Sequence, residues 1–568
     1  MNWRAVVFGV LLPAAILAAE GDKASPAEAI ELQCPKLVAS GFFEGAPVHL
    51  SVQEVEAWSK RALGDLDVAE LSKYVGKSTI TSLAKTRLNW LFSHRLRSND
   101  QIRQRQQSIQ ELAASPELRA QIEAALQEYA EFEKGNLGWD KVLRWFGAPV
   151  HGAPTDQYFE KYKTARKPTL FTKVLSAMFD YIAPATTVSS LLGNIKGSLA
   201  TIGIFAYHNT KNQSARRREL SHFQQIVVTA GKAASSLMTA KSPHLQEVGQ
   251  VLAALRDPAD PMKLRNLSRG LSWLRNGTVS SVLFDLVYVS NFSLPLVRRK
   301  ALQRIEEFGV LASALAELDC YLALAKVYAD HPDMVFPELI DPAEPSQLEI
   351  VDGHHPYLYW ENQPSIPNSV QFSKQPDANQ PWLYFLTGPN ARGKSTYLRM
   401  IGLNTLLAQM GMPVAARSMR LSPVVVFTAL RKSDSTASSE STFVAEAKTM
   451  AALLKESQET PHSLLLLDEI YTGTSLNEQL AAEEGTLHHL SAAGQFTIMA
   501  SHKRHNATVG ESLPGFANIH VSDDDAPERK YRIEPGVSSR YNAVDVMREE
   551  GVPEELLEAV SRYLADAP

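Results

Sequence analysis

From Val52 to Tyr129, leucine and alanine recur at three- and four-residue steps with no proline before Pro116, a pattern that predicts a run of amphipathic helices. Between Tyr162 and Tyr207 the chain becomes apolar and rich in Ser, Thr and Gly, and Pro184, Gly193, Gly197 and Gly203 predict a break in the helices. Lys173, Asp180 and Lys196 interrupt this stretch, so it holds no uncharged segment of bilayer-spanning length; a membrane-touching hairpin is the other reading. Helical periodicity returns from Arg216 to Asp330 and includes the Ala/Leu-rich run Val310 to Val327. Pro332, Pro337, Pro342 and Pro345 then mark a domain junction. After Ser346, short β-rich runs alternate with helices, as in an α/β sheet.

The chain has 568 residues, enough for two to four domains. A net charge of -5, with 45% hydrophobic and 21% charged residues, describes a soluble globular protein and excludes one that holds nucleic acid by bulk charge alone. Charge is uneven locally: from Lys73 to Arg105, the cations Lys73, Lys77, Lys85, Arg87, Arg95, Arg97, Arg103 and Arg105 face the single acid Asp100. A solvated helix face and a phosphate-facing stripe both fit that pattern. Cys34 and Cys320 are too far apart in sequence for metal-ligand spacing and imply no disulfide framework. At the N-terminus, Arg4 precedes the apolar run Ala5 to Ala19, which ends in small residues ahead of Glu20 and Asp22. A signal peptide or anchor, a misassigned start and a helix packed on the body remain open.

The chemistry lies on the predicted sheet, between about Leu348 and Ile519. A strand, Trp382 to Leu386, runs into Gly388-Pro389-Asn390-Ala391-Arg392-Gly393-Lys394-Ser395-Thr396, and helical periodicity follows from Tyr397 to Met410. This is a P-loop in its strand-loop-helix context. Backbone N–H groups of the glycine-permitted turn converge on phosphate, Lys394 reaches the β- and γ-phosphates, and Ser395 ligates Mg²⁺. A second strand, Leu464 to Leu467, carries Asp468 and Glu469 to its C-terminal end, where open α/β sheets bind ligands. Asp468 is expected to hold Mg²⁺ through its water shell, and Glu469 to polarise the attacking water. A third strand, Phe496 to Ala500, ends in Ser501-His502 and brings a donor for the γ-phosphate to the same edge.

These residues resemble the ATPase domain of the MutS family of DNA mismatch-repair proteins. The likeness covers TGPNARGKSTYLRMIGLNTLLAQMGMPVAA at 387–416, DGHHP at 352–356, SESTFVAEAKTMAALL at 439–454, LLLLDEIYTGTS at 464–475, ASHKRHN at 500–506, and the stretch 531–560, which looks like the family's C-terminal dimer clasp. More weakly, 86–122 and 311–328 are similar to the opening and closing helices of the family's core and lever region. The resemblance implies ATP and Mg²⁺ as cofactors and places His355, within DGHHP, among the nucleotide-binding residues. Ser441 falls in a signature loop that completes the ATP site of a partner subunit, so the implied assembly is a homodimer with composite sites. Glu446 matches an acid on the following helix. DNA is the implied partner, with Arg216-Arg217-Arg218 and Arg298-Arg299-Lys300 as further phosphate candidates.

The chain departs from the family pattern at Arg392 and at Leu476-Asn477-Glu478, and neither change removes a catalytic group. The segment before Thr86 is too short for the family's mismatch-reading and connector domains, and Phe42-Phe43-Glu44, though of Phe-x-Glu form, lacks a domain to hold it; direct mismatch recognition is not expected. The expected fold class is an α/β P-loop NTPase (ABC-type ATPase) domain at the C-terminus, preceded by a mostly α-helical core/lever domain. The expected divisions are a signal-like segment at 1–22, a helical region at 23–84, a core/lever domain at 85–335 with an insertion near 162–210, the ATPase domain at 336–525 and a dimerisation segment at 526–568. Function then reads as an ATP-driven, DNA-gripping dimer in the cytoplasm. The alternative is a membrane- or envelope-associated protein switched by ATP.

Overall fold

The computed structural model describes residues 55–57, 59–96, 98–135, 225–254, 305–374, 380–389, 392–430, 442–460, 462–524, 526, 529–539, 547–548 and 551–565. These fall in two compact units. The first draws on 131–235 and 247–314, where the described residues are helical. The second unites 53–130, 236–246 and 315–568 and holds both β-sheets. The signal-like N-terminus and the apolar stretch up to Tyr207 lie outside the described residues; among those described, no helix is long and apolar enough to cross a membrane.

The N-terminal part runs β1 (Val55–Ala57), α1 (Lys60–Asp65), α2 (Val68–Gly76), α3 (Ser82–Leu91), β2 (His94–Leu96), α4 (Asn99–Ala114) and α5 (Pro116–Gly135). It is helical as the spacing predicts, except that β1 and β2 form a small antiparallel ribbon, Val55 opposite Leu96. Two strands of three residues paired across some forty positions leave no trace in local periodicity. α6 (Pro243–Ala254) and α7 (Ile305–Asp330) follow. From Leu315 to Val327, α7 is buried on nearly every side, as expected of a helix apolar all round.

Two charged residues enter that core with α7. Asp319 accepts from the backbone N–H groups of Ile80 and Thr81 and from the Thr81 hydroxyl at 2.8 Å, setting a carboxylate at the N-terminal end of α3. Glu317 takes Arg87 at 2.5 Å and Arg105 at 3.4 Å. The basic stripe is therefore not one surface: Arg87 and Arg105 are interior, neutralised by an acid more than two hundred positions away, while Lys73, Lys77 and Arg103 pair with Glu70, Glu361 and Asp100 at the surface.

The C-terminal part comprises β3 (Glu338–Leu339), β4 (Gln347–Gly353), α8 (Pro356–Trp360), β5 (Asn368–Ser373), β6 (Leu383–Thr387), α9 (Lys394–Gln409), β7 (Ser418–Leu421), β8 (Val425–Ala429), α10 (Thr442–Gln458), β9 (Ser463–Asp468), α11 (Leu476–Ala493), β10 (Phe496–Ala500), α12 (Arg504–Gly510), β11 (Phe516–Val521), β12 (Ile533–Pro535) and α13 (Glu554–Ala565). Its main sheet has the order β12-β11-β6-β10-β9-β8, parallel throughout except for the antiparallel edge strand β12. A second sheet, β3-β7-β4-β5, is mixed. Parallel strands are covered on both faces and so read as continuous apolar runs; β9 is buried along its whole length. Leu465, Leu467, Leu383, Phe385 and Met499 form a core with Met450 and Leu453 of α10 and Leu487 and Leu490 of α11.

The N-terminal corner Asp65-Leu66-Asp67 packs into this part. Leu66, fully buried, lies against Gly402 of α9 and close to Leu466 of β9. Asp65 accepts from the Thr428 hydroxyl at 2.9 Å and from the backbone N–H of Leu430 at 3.3 Å. Arg399 of α9 donates to the Asp65 carbonyl at 3.0 Å and lies 3.5 Å from the Asp67 carboxylate.

Candidate ATP site

β6 delivers the phosphate loop from the middle of the sheet. Gly388 (φ 149°) and Gly393 (φ 92°) take backbone conformations that side chains resist, and Gly393 is the residue from which α9 starts. Lys394 is buried in the first turn; its ammonium donates to the carbonyls of Gly388 at 2.9 Å and Pro389 at 3.1 Å and lies 4.0 Å from Glu469 Oε1. Burial pushes its pKa down, against the pull of Glu469 and Asp468. Asn390 and Ala391 lie outside the described residues, Arg392 is half-buried, and Thr396 is exposed on α9.

Strand order brings the other groups to the same edge. β10 lies between β6 and β9, with Ala500 level with Leu386 on one side and Asp468 on the other. Beyond these levels, Ser501 N donates to the Leu386 carbonyl and Glu469 N to the Ala500 carbonyl, at 3.0 and 2.9 Å, so the three strand ends leave the sheet together. Ser395 donates to Asp468 Oδ2 at 2.5 Å. Burial raises the Asp468 pKa, opposed by that hydrogen bond and by Lys394 and Arg399. Glu469 adopts a left-handed conformation (φ 46°), which turns its side chain out of the strand's alternation; 10% exposed, it lies 3.6 Å from His502 Nδ1. The adjacent hydroxyl and carboxylate of Ser395 and Asp468 are hard oxygen donors suited to Mg²⁺.

Comparison with known proteins finds relatives for this part of the chain. MutS domain V matches residues 384–566. DNA mismatch repair protein MutS 2 of Haloarcula marismortui is 32% identical over 291 residues, covering 48% of this chain and 30% of that protein. The MutS 2 protein of Halobacterium salinarum is 31% identical over 278 residues, with 48% and 31% covered. DNA mismatch repair protein msh3 of Aspergillus fumigatus is 32% identical over 265 residues, with 44% and 23% covered. The chain carries a MutS domain V and is similar to MutS-family proteins over its C-terminal part. It spans less than a third of the length of these curated relatives.

The remaining residues singled out in the sequence fall in different places. Ser441 lies outside the described residues, immediately before α10. His355 is the N-cap of α8 and lies within the electrostatic reach of Arg399 and Asp67. Burial and then the Arg399 charge push its pKa down to about 4, and its Nδ1 has no hydrogen-bond partner.

Glu446 of α10 accepts from the Thr472 hydroxyl at 2.7 Å and from Gly473 N at 3.2 Å, fixing the loop that follows Glu469. The resemblance matches it to an acid on that helix; in the structure it anchors that loop.

Sequence reasoning missed Tyr531 altogether. Its φ is 74°, and a Cβ built on Gly393 would lie 3.3 Å from its ring, so an exposed aromatic side chain flanks the MutS phosphate loop. Asn368 holds it there, donating to the Tyr531 carbonyl at 3.1 Å and accepting from Ile533 N at 2.8 Å. A tyrosine ahead of a short edge strand carries no local signal for this role.

Proposed function

We propose that this MutS-family chain binds and hydrolyses ATP with Mg²⁺ and couples the cycle to an interaction with DNA. The observation that carries the reading is the convergence of Lys394, the Ser395–Asp468 pair, Glu469 and His502 where three parallel strands end. In this reading, Lys394 turns from the loop carbonyls to the β- and γ-phosphates, a short motion of a flexible stem. Ser395 and Asp468 would hold Mg²⁺, which would supply positive charge against the phosphates. Glu469 accepts a proton from the attacking water, and His502 donates to the γ-phosphate. The DNA partner rests on what the relatives are named for.

A homodimer with composite sites accounts for two further features. Val444 is exposed in the first turn of α10, directly after Ser441, and Leu556 is exposed on the amphipathic α13. Both suit an isologous partner surface. Direct discrimination of mispairs is not part of the proposal.

Glu469→Ala tests the reading. ATP binding should persist while turnover falls by roughly 10²-fold, and wild-type turnover should change when matched or mismatched duplex is added. A chain that does not bind ATP, or an unaltered rate in Glu469→Ala, would refute the site. A rate indifferent to every DNA form would remove the DNA partner. Mixing Ser441→Arg with Lys394→Ala should restore some activity if sites are shared; mixed dimers without recovered activity would reject the composite arrangement.

A further inference from the structure

The three residues leaving β10 alternate in direction. Ser501 and Lys503 are buried and His502, between them, is 52% exposed. Both flanking side chains end on one carboxylate, that of Glu483 in α11, which is 0% exposed. Ser501 Oγ donates to it at 3.1 Å, Lys503 Nζ at 2.5 Å, and Asn506 Nδ2 of α12 at 3.0 Å. Lys503 N also donates to Ser501 Oγ at 3.2 Å, closing the turn. In an extended segment, neighbours that both point inward force the residue between them outward. Here that residue is His502, and outward is toward Glu469.

We infer that Glu483 is a positioning residue for hydrolysis, acting through His502. A buried ion pair rarely stabilises a fold more than apolar packing of the same volume would, whereas it demands one geometry. Every oxygen of Glu483 is engaged, so the segment 501–503 has a single way to sit. α11 is itself fixed at its start by a capping box in which Ser475 and Glu478 bond reciprocally. The loop after Glu469 runs directly into that cap. Glu483 thus references the His502 loop to the element that follows Glu469, and keeps the two reacting-site groups in register. The inference rests on the reading of His502 given above.

The test uses the full chain, with ATP affinity and steady-state turnover measured for His502→Ala, Glu483→Gln, Ser501→Ala, and the double replacement Glu483→Leu with Lys503→Leu, each also combined with His502→Ala. Loss of His502 should lower kcat by about 10-fold or more. Glu483→Gln and the apolar pair should do the same with ATP affinity held within about twofold, since an orientation fault acts on the transition state. Neither should lower kcat further in the His502→Ala background. Glu483→Gln strands the Lys503 charge and can cost folding; the apolar pair strands none, and Ser501→Ala removes one tether alone. A folded apolar-pair variant turning over at the wild-type rate, or effects that multiply with His502→Ala, would overturn the inference while leaving the ATPase reading intact. His502→Ala at the wild-type rate would overturn the inference together with the role given to His502, and loss of ATP binding in the wild-type chain would be the separate failure of the site.

Discussion

The Leu66 side chain occupies the space that a Cβ on Gly402 would need: a methyl there would lie 2.6 Å from Leu66 Cδ2 and 3.0 Å from Leu466 Cδ1. In an exposed helix, Gly→Ala stabilises by about 1 kcal/mol. At Gly402 the sign reverses, because Leu66 is fully enclosed and cannot swing away. Gly402→Ala should destabilise by roughly 1–3 kcal/mol, and Leu66→Ala by roughly 2–5 kcal/mol. The two together should cost less than their sum, as read by denaturant unfolding. Strict additivity would show that the corner is not seated on α9.

Lys394→Ala should abolish or severely weaken ATP binding, since it removes an ammonium that lies 4.0 Å from Glu469 and bonds the carbonyls of Gly388 and Pro389. Lys394→Arg is expected to fail as well, because a planar guanidinium does not fit a buried space shaped for a compact ammonium. Unchanged affinity in a fluorescent-nucleotide titration would remove the assignment.

Tyr531→Ala should weaken nucleotide binding about fivefold, the effect of losing roughly 1 kcal/mol of aromatic contact, whereas Tyr531→Phe should retain it. Gly393→Ala should be worse than either, since it meets the Tyr531 ring at 3.3 Å and demands φ 92° of an alanine. Equal affinity for wild type and Tyr531→Ala would show that the ring does not touch the ligand.

Acid should destabilise the fold through two histidines. Burial pushes both His244 and His355 down to about 4, while an unfolded histidine titrates near 6.5. Between those values the unfolded chain binds protons that the folded chain does not, so this contribution is complete above about pH 6.5, falls as pH drops toward 4, and is gone below it. Asp319 and Asp468, whose pKa values burial raises, act in the opposite sense. Comparison with His244→Gln and His355→Gln isolates the histidines: each variant should lose less Tm than wild type between pH 7 and pH 4.5. Parallel curves would refute the assignment.

Much of the candidate site's geometry was legible because its parts are local. The phosphate loop is contiguous, and Asp468-Glu469 and Ser501-His502 each follow an apolar run that can only be a buried strand. What escaped was non-local. The partners of Arg87 and Arg105 lie on α7, so two cations of a stripe that fits a surface are interior. Tyr531 reaches the phosphate loop only because β12 pairs with β11 beside β6, and Glu483 reaches Ser501 and Lys503 only because α11 packs under β10's exit. Periodicity reports which face of an element is buried, and says nothing of what lies against it.

The placement of Arg105 bears on how the chain is made. Its guanidinium donates to the Met410 carbonyl at 2.8 Å, at the C-terminal end of α9, and pairs with Glu317 at 3.4 Å; Asp65 likewise bonds only to groups beyond residue 398 or at its own corner. During synthesis from the N-terminus, residues 60–114 emerge with two arginines and an aspartate destined for the interior, and wait through some two hundred residues for Glu317 and about three hundred for α9. Long-range closure of this kind slows folding and leaves apolar surface open meanwhile. Helices α1 to α4 are thus finished only once α9 exists, and the nascent chain should need shelter until then.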